Sequence, residues 1–168
     1  MAIVGISLGS NLGKKLANLK SARDLLVELM PAKARHFQSP LYQSAPVDCP
    51  ENAPDFYNTA IEIVYEGTPE SLLHSTQQIE SQLGRKQKLV MNEPRTIDID
   101  ILYFDDLVLS SDTLELPHPR MHERRFVLEP LSEICPDRIL PNQTLTILEL
   151  LESLCSSEPP LNRLQSNW

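Results

Sequence analysis

The chain has 168 residues, of which 41% are apolar and 23% are charged, with a formal net charge of −8. We expect one domain over residues 1–168, and the acidic balance disfavours non-specific binding to nucleic acid or to an anionic membrane. The three cysteines form no CxxC pair, no apolar run approaches the roughly 20 residues of a membrane helix, and no signal-peptide pattern begins the chain. These features favour a cytoplasmic protein.

The N-terminal region predicts a strand, a turn and a helix. Residues 2–8 form a short apolar run that is typical of a buried strand. A turn is expected at Gly9-Ser10-Asn11. Leucine and alanine then recur at helical spacing over residues 16–29, and Pro31 ends the helix.

Two further strands and a second helix follow. Residues 33–44 and 56–65 favour strands, and the proline-rich segment 45–55 between them favours a long functional loop. Thr68 and Pro69 are typical of a helix N-cap and first turn. Apolar residues line one face of that helix as far as residue 83, where Gly84 ends it.

The clearest strand covers residues 96–104, after a polar loop over residues 85–95. The order strand–helix–strand–strand–helix–strand is that of a ferredoxin-like βαββαβ core, which places the chain in the α+β class. Additional C-terminal elements are expected: a short strand region near 107–116, a helix near 124–134 and a helix from about 146. Thr146 and Glu149 form a capping-box pattern at the start of the last helix, whereas the tail after Cys155 has no clear pattern.

Asp98 and Asp100 are the sharpest chemical feature of the sequence. Residues two apart on a strand share a face and lie roughly 6–7 Å apart, so Ile97, Ile99 and Ile101 would point into the core. Two carboxylates at this spacing suit Mg²⁺, which takes one or two carboxylates together with substrate phosphates. A solvated strand face is the alternative explanation.

Basic residues on either side favour the metal interpretation. Seven of the 15 Lys and Arg residues lie between Arg85 and Arg125. Arg85, Lys86 and Lys88 precede the aspartates, and Arg95 is three residues before Asp98. Carboxylates that hold a metal beside cations that hold phosphate oxygens are what polyphosphate chemistry requires.

Other polar residues have two interpretations each. Within His118–Arg125, His118 and Arg124 could contact phosphate, whereas Arg120 and Arg125 could equally be surface residues. Gln77 and Glu80 lie opposite the apolar stripe of their helix, where a solvated face is expected. Asn58 interrupts a predicted strand, where Asn is disfavoured, and either points into a pocket or marks a strand edge. Neither a P-loop nor a GxGxxG motif is present.

Five segments together resemble a known family. They are Gly9-Ser10-Asn11, Asp55-Phe56-Tyr57-Asn58, Gln77 with Glu80 before Gly84-Arg85, Pro94 to Leu102, and Pro117 to Leu131. In this order, and covering the chain to about residue 135, they resemble 6-hydroxymethyl-7,8-dihydropterin pyrophosphokinases, enzymes of folate biosynthesis. The ferredoxin-like order is also the core fold of that family.

The resemblance implies a Mg²⁺-dependent enzyme that transfers diphosphate from its co-substrate ATP to 6-hydroxymethyl-7,8-dihydropterin. Two Mg²⁺ ions would be bound by Asp98 and Asp100, and Arg85 and Arg95 would act with them in catalysis and at the phosphates. The ATP-binding residues would be Gln77, Arg85, Arg95, His118 and Arg124. The pterin-binding residues would be Ser44, Ala45, Val47, Phe56, Asn58 and Phe126, with Glu80 holding the Arg-rich region. We expect a monomer with no nucleic-acid or membrane partner.

Four positions depart from the best-known bacterial members. The loop there carries a second Arg where this chain has Gln87, and a Trp where it has Asn92. Pro119 replaces a Tyr, and Phe56 stands where Tyr is frequent. The differences at Gln87 and Asn92 concern the loop, so its contribution to turnover can differ, and none of the four differences concerns the metal ligands.

Two other functions would also fit parts of the sequence. The first is another Mg²⁺-dependent phosphoryl- or nucleotidyl-transferase, since paired carboxylates on a ferredoxin-like sheet would serve that chemistry too. The second is a binding module, such as a small-molecule sensor or an RNA-binding sheet. The acidic charge and the absence of an RNP1 pattern argue against RNA, and a sensor has no need of Asp98 and Asp100 beside Arg95.

Overall fold

An antiparallel sheet forms the centre of the molecule. The computed structural model describes residues 1–46, 53–85, 94–155 and 160–168. The strands are β1 (Ala2–Ser10), β2 (Phe37–Gln38), β3 (Leu41–Ser44), β4 (Phe56–Tyr65), β5 (Asp98–Phe104), β6 (Leu109–Ser110), β7 (Glu115–Leu116) and β8 (Asn162–Gln165). The helices are α1 (Lys15–Val27), α2 (Pro69–Gln82), α3 (Arg125–Ser132) and α4 (Ile147–Glu152), with a 3₁₀ turn at Met121–Glu123.

The strand order confirms the predicted fold class. The strands of the main sheet are arranged β5-β1-β4-β3-β8, β2 also pairs with β4, and β6 and β7 form a separate two-stranded sheet. With β2 and β3 together as the second strand, β1-α1-β2/β3-β4-α2-β5 is the βαββαβ unit of a ferredoxin-like domain. The additions are the β6–β7 pair, α3, α4 and the edge strand β8.

One face of the sheet packs against α1 and α2. Val4, Ile6 and Leu8 of β1 are fully buried there, because alternate residues of a strand point to the same side. The matching faces of the two helices contribute Leu19, Ala22, Leu26, Leu72 and Ile79. Ile97, Ile99 and Ile101 belong to the same core, as predicted. This burial therefore leaves the intervening residues of β5, including Asp98 and Asp100, for the opposite face.

A second core covers part of that opposite face. Ala60 of β4 and Leu102 and Tyr103 of β5 pack with Val127, Leu128 and Leu131 of α3. Leu102 and Tyr103 both belong to this second core because the β1–β5 register shifts between Gly5 and Ile6, which is the effect of a β-bulge. The polar residues of the face lie nearer the start of β5.

Several predicted elements have the bounds or caps expected. The strand over residues 56–65 is observed with those bounds. The Thr68 hydroxyl accepts a hydrogen bond from the Ser71 backbone at the start of α2. The capping box of Thr146 and Glu149 is present at the start of α4. These features depend on contacts within a few residues, so local sequence is sufficient to predict them.

Four expectations need correction. Gly9 and Ser10 belong to β1 and not to a turn, because β1 is paired on both sides at Gly9. The strand expected over 33–44 is divided into β2 and β3, and β5 begins at Asp98. The tail after Cys155, which had no clear pattern, includes β8.

No helix within the four described ranges is long and apolar enough to cross a bilayer.

Candidate active site

Three neighbouring strands bring an amide, a glycine and a carboxylate side by side. Asn58 on β4 is paired with Gly9 on β1, and Gly9 is paired with Asp98 on β5. Asp100 lies two residues beyond Asp98 on the same face, opposite Ser7. The two aspartates are therefore neighbours on one face, as their spacing predicted.

Arginines surround the aspartate pair. Nη1 of Arg85 lies 2.7 Å from Oδ1 of Asp98, and Nη1 of Arg95 lies 2.6 Å from Oδ2. Burial and the nearby charge of Asp98 raise the pKa of Asp100, and the charges of Arg124, Arg85 and Arg95 act in the opposite direction. The site therefore combines two close carboxylates with three cationic side chains, an arrangement that can hold both a metal and phosphate oxygens.

Glu80 supports this cluster from α2. Its Oε1 accepts a hydrogen bond of 2.8 Å from the Ile99 backbone N–H and also contacts the guanidinium of Arg85. Burial raises the pKa of Glu80 to about 7, although the charge of Arg85 opposes this shift. The expectation that Glu80 lies on a solvated face is wrong, because this side chain joins α2 to β5. Its contact with Arg85 fits the role that the family resemblance implies.

Asn11, which directly follows β1, forms hydrogen bonds to the segments that precede β5 and β4. Its Oδ1 accepts a 2.8 Å hydrogen bond from the Arg95 backbone N–H, and its own N–H donates to the Arg95 carbonyl. Its Nδ2 donates to the carbonyl of Pro54 at 3.3 Å. The sequence alone predicts no role for Asn11 beyond the expected turn. The signal available was a short polar side chain directly after a buried strand, where it can bond to neighbouring backbone.

A group of predicted pterin residues lies beside the aspartates. Asn58 is buried on the central strand β4, so it does not mark a sheet edge, and its Nδ2 donates a 2.7 Å hydrogen bond to Oγ of Ser44. Phe56 is half-buried on β4, and Phe126 is half-buried at the start of α3. The Arg124 guanidinium lies 5.4 Å from the centre of the Phe126 ring. Asn58 and Ser44 are therefore in direct contact.

His118 approaches the site from the segment after β7. Its backbone N–H donates a 2.8 Å hydrogen bond to the Leu102 carbonyl, which ties this segment to β5. Burial and the charges of Arg124 and Arg120 lower the pKa of His118 to about 4, so the ring is neutral at physiological pH. Because Nδ1 accepts a 3.2 Å hydrogen bond from the Arg120 backbone, the proton is on Nε2. His118 can therefore donate a hydrogen bond to an anion.

Some predicted site residues are not joined to this cluster. Gln77 is exposed on α2, and Ala45 is exposed just after β3. Val47, Lys86, Gln87, Lys88 and Asn92 lie outside the described residues. Their predicted roles stay predictions.

The donor set at Asp98 and Asp100 fits magnesium. Hard carboxylate oxygens are its preferred protein ligands, and Mg²⁺ completes its shell with water and substrate phosphates. No group of three or more His, Cys, Asp or Glu side chains able to hold a metal occurs in the ranges that the structure describes. A site built from only two carboxylates would therefore depend on water and phosphate oxygens for its further ligands.

The fold and the site define a ferredoxin-like α+β domain with paired aspartates, arginines and a buried amide on one sheet face. The profile of the 7,8-dihydro-6-hydroxymethylpterin-pyrophosphokinase (HPPK) family matches residues 5–136. The chain belongs to this family, which confirms the resemblance found in the sequence. The family description names a pyrophosphokinase that acts on 7,8-dihydro-6-hydroxymethylpterin.

Relatives include stand-alone and much longer proteins. The chain is 42% identical over 133 residues to a 2-amino-4-hydroxy-6-hydroxymethyldihydropteridine pyrophosphokinase of Bacillus subtilis, covering 79% of this chain and 78% of that protein. The Haemophilus influenzae protein of the same name is 36% identical, with 88% and 89% covered. The Folic acid synthesis protein FOL1 of Dictyostelium discoideum is 40% identical over 86% of this chain, which spans 21% of its length.

Solved structures agree on the fold. The crystal structure of wild-type Plasmodium falciparum HPPK-DHPS with pteroate superposes with a TM-score of 0.68 at 16% sequence identity. It covers 90% of this chain, which spans 42% of the Plasmodium chain. At this identity the likeness establishes the ferredoxin-like domain alone.

Proposed function

We propose that this chain transfers the terminal diphosphate of ATP to 6-hydroxymethyl-7,8-dihydropterin. We also propose that the reaction requires Mg²⁺ and that Asp98 and Asp100 hold two Mg²⁺ ions. The observation that carries the proposal is the pairing of Asn58, Gly9 and Asp98 across three strands. It places an amide suited to reading a heterocycle beside a carboxylate suited to holding metal-bound phosphates. Family membership supports the choice of substrates.

In the proposed reaction the hydroxymethyl oxygen of the pterin attacks the β-phosphorus of ATP. A new oxygen–phosphorus bond forms, the bond from the β-phosphorus to the oxygen bridging the α- and β-phosphates breaks, and AMP leaves with that oxygen. The hydroxyl proton is released to a base or to water. Such transfers need little covalent chemistry from the protein, so positioning and charge neutralisation dominate catalysis.

The side chains around the aspartates would position ATP. Mg²⁺, when bound, neutralises phosphate charge and orients the phosphate oxygens. Arg85, Arg95 and Arg124 would contact phosphate oxygens, and the neutral His118 would donate through Nε2. Gln77 would act on the same nucleotide, although in this structure it is exposed. Because Arg85 and Arg95 contact both oxygens of Asp98, arginine and metal would share this carboxylate or exchange places on it.

The pterin would lie on the other side of the same face. Asn58 would read its polar edge, held in place by Ser44, and Phe56 and Phe126 would stack on its ring. Ala45 and Val47 would line the remaining edge. A flat heterocycle held between rings, with one buried amide for specificity, is a common form of small-molecule site.

We also propose that the protein acts in the cytoplasm, as a monomer and without nucleic acid. The net charge of −8 supports the absence of nucleic acid, and the free thiols of Cys135 and Cys155 fit a reducing compartment. Light scattering coupled to size-exclusion chromatography tests the oligomeric state.

The experiment that tests the reaction follows nucleotide products by chromatography. Purified protein is incubated with MgATP, with and without 6-hydroxymethyl-7,8-dihydropterin, and in a third reaction with EDTA. We expect AMP only when both pterin and Mg²⁺ are present. ADP formation would favour another phosphotransferase, and the absence of turnover would favour a binding module.

A further inference from the structure

Two glycines of β1 share the site face of the sheet, yet their surroundings differ. A Cβ atom at Gly5 would lie 2.1 Å from Cε1 of Tyr103, so the tyrosine ring already fills its place. A Cβ atom at Gly9 would lie 3.4 Å from Oδ1 of Asn58, 3.7 Å from Cδ1 of Phe56 and 3.9 Å from Cβ of Asp98. These are ordinary van der Waals distances, so the folded protein has room for a methyl group at Gly9.

Backbone conformation does not require glycine at this position either. The structure records positive φ for Gly13 and Gly84 but none for Gly9, which lies in a strand paired on both sides. Glycine inside a strand is unfavourable because it loses more conformational freedom on folding than other residues. Neither packing nor backbone conformation therefore explains why position 9 is glycine. A ligand that approaches the backbone closely would explain it.

The position of Gly9 indicates which ligand this is. Gly9 separates Asn58 from Asp98, and each of the two is its direct cross-strand neighbour. Neighbouring strands lie about 4.8 Å apart, so Asn58 and Asp98 are roughly 10 Å apart at the backbone. A substrate whose ring is read at Asn58 and whose hydroxyl reacts at phosphates near Asp98 has to cross Gly9.

We infer that Gly9 is a specificity-determining residue whose bare backbone forms the floor under the pterin substrate, between the ring edge and the reacting hydroxymethyl group. This inference rests on the proposed function, because Asn58 and Asp98 have their ligands only in that proposal. A methyl group at Gly9 would displace a flat ring by about 1 Å, and a misplacement of that size can cost up to about 10²-fold in rate.

The test compares Gly9→Ala and Gly9→Val with the wild-type protein in three measurements. These are pterin-dependent AMP formation, binding of MgATP alone, and thermal unfolding. For Gly9→Ala we expect at least a tenfold loss of kcat/KM for the pterin, and for Gly9→Val a larger loss. Binding of MgATP should stay within twofold of wild type, and the unfolding temperature of Gly9→Ala should be unchanged or higher.

The outcomes separate this inference from the function on which it rests. An active wild type with an equally active Gly9→Ala variant would overturn the floor role alone. Equal losses of pterin and MgATP binding would also overturn it, since they indicate a general distortion. A wild type without pterin-dependent AMP formation would overturn the proposed function, and the inference with it.

Discussion

Arg85 and Asp98 form an ion pair with 2.7 Å between Nη1 and Oδ1. The pair joins the segment that follows α2 to the first residue of β5, and Glu80 contacts the same guanidinium. The side chains of Arg85 and Asp98 are only 16% and 22% exposed, so solvent screens this contact less than it would a surface pair. Asp98, one of the two proposed metal ligands, is thus already paired with arginine in this structure.

The aspartate pair provides the most direct test of the metal proposal. Asp98→Asn and Asp100→Asn keep the side-chain shape but remove a hard anionic ligand. We expect each to lower kcat for AMP formation by about 10²-fold or more, the usual size of a lost electrostatic stabiliser. Fixed-time assays of AMP formation at saturating MgATP and pterin measure kcat, and circular dichroism shows whether the fold is intact.

Asp105→Asn is the matched control. Asp105 directly follows β5, and its Oδ1 accepts a 2.7 Å hydrogen bond from the Ile3 backbone. An amide oxygen can accept the same bond, and Asn tolerates the positive φ of this position. We expect wild-type activity for Asp105→Asn. More than a tenth of wild-type activity in Asp98→Asn or Asp100→Asn would refute the metal role.

Glu80 gives a prediction about pH and stability. Its folded-state pKa of about 7 lies above the ordinary 4.5, so the folded protein holds this proton more tightly than the unfolded chain. The stability contribution is complete below about pH 4.5 and is lost as pH rises towards 7. Since a pKa unit is about 1.4 kcal/mol, the loss is on the order of 3–4 kcal/mol.

Glu80→Gln removes this titration while an amide oxygen can still accept from Ile99. We expect the stability of Glu80→Gln relative to wild type to increase between pH 5 and pH 8, measured by urea unfolding in EDTA. Glu66→Gln changes an exposed residue and should keep a constant difference from wild type. A stability difference between Glu80→Gln and wild type that does not change with pH would show that burial does not raise the pKa of the Glu80 carboxyl.

Gly5→Ala should destabilise the fold, in contrast to Gly9→Ala. The added methyl would meet the ring of Tyr103, which is fully buried, with its hydroxyl donating to Glu62. Overpacking of this kind costs typically about 1–3 kcal/mol, and a clash with a ring confined in this way should be at the upper end. Thermal unfolding measures the loss, and Tyr103→Leu in the Gly5→Ala background should recover part of it. An unfolding temperature equal to wild type would contradict the close packing.

Trp168 should stabilise the chain although it is not one of the candidate site residues. Its side chain is buried, its Nε1 donates a 2.9 Å hydrogen bond to the Ser39 carbonyl, and the Arg23 guanidinium lies 5.0 Å from its ring centre. Trp168→Ala should cost about 3–5 kcal/mol. Chemical unfolding measures the cost, with Trp168→Phe expected to lose less. A cost below 1 kcal/mol for Trp168→Ala would show that the C-terminal segment docks only weakly.

The contrast between α4 and β8 shows where sequence reasoning succeeds. The capping box at Thr146 is complete within four residues, and it was predicted. β8 is an edge strand of mostly exposed residues that pairs with β3, more than a hundred residues earlier. The alternation of polar and apolar residues within β8 is too weak to identify it as a strand. The strand conformation of β8 depends instead on its pairing with β3 and on the burial of Trp168.

For the site, local sequence was enough to place Asp98 and Asp100 on one face of a strand, because side chains of a strand alternate with a period of two. Only the tertiary structure decided that Asn58 and Asp98 flank Gly9, and that Glu80 is buried against β5. Those relationships depend on the register of β1 with β4 and with β5, strands far from β1 in sequence, and on how α2 packs over the sheet. Neither is determined by the spacing of residues within a single element, because strand pairing and helix docking are set by the burial of the whole core.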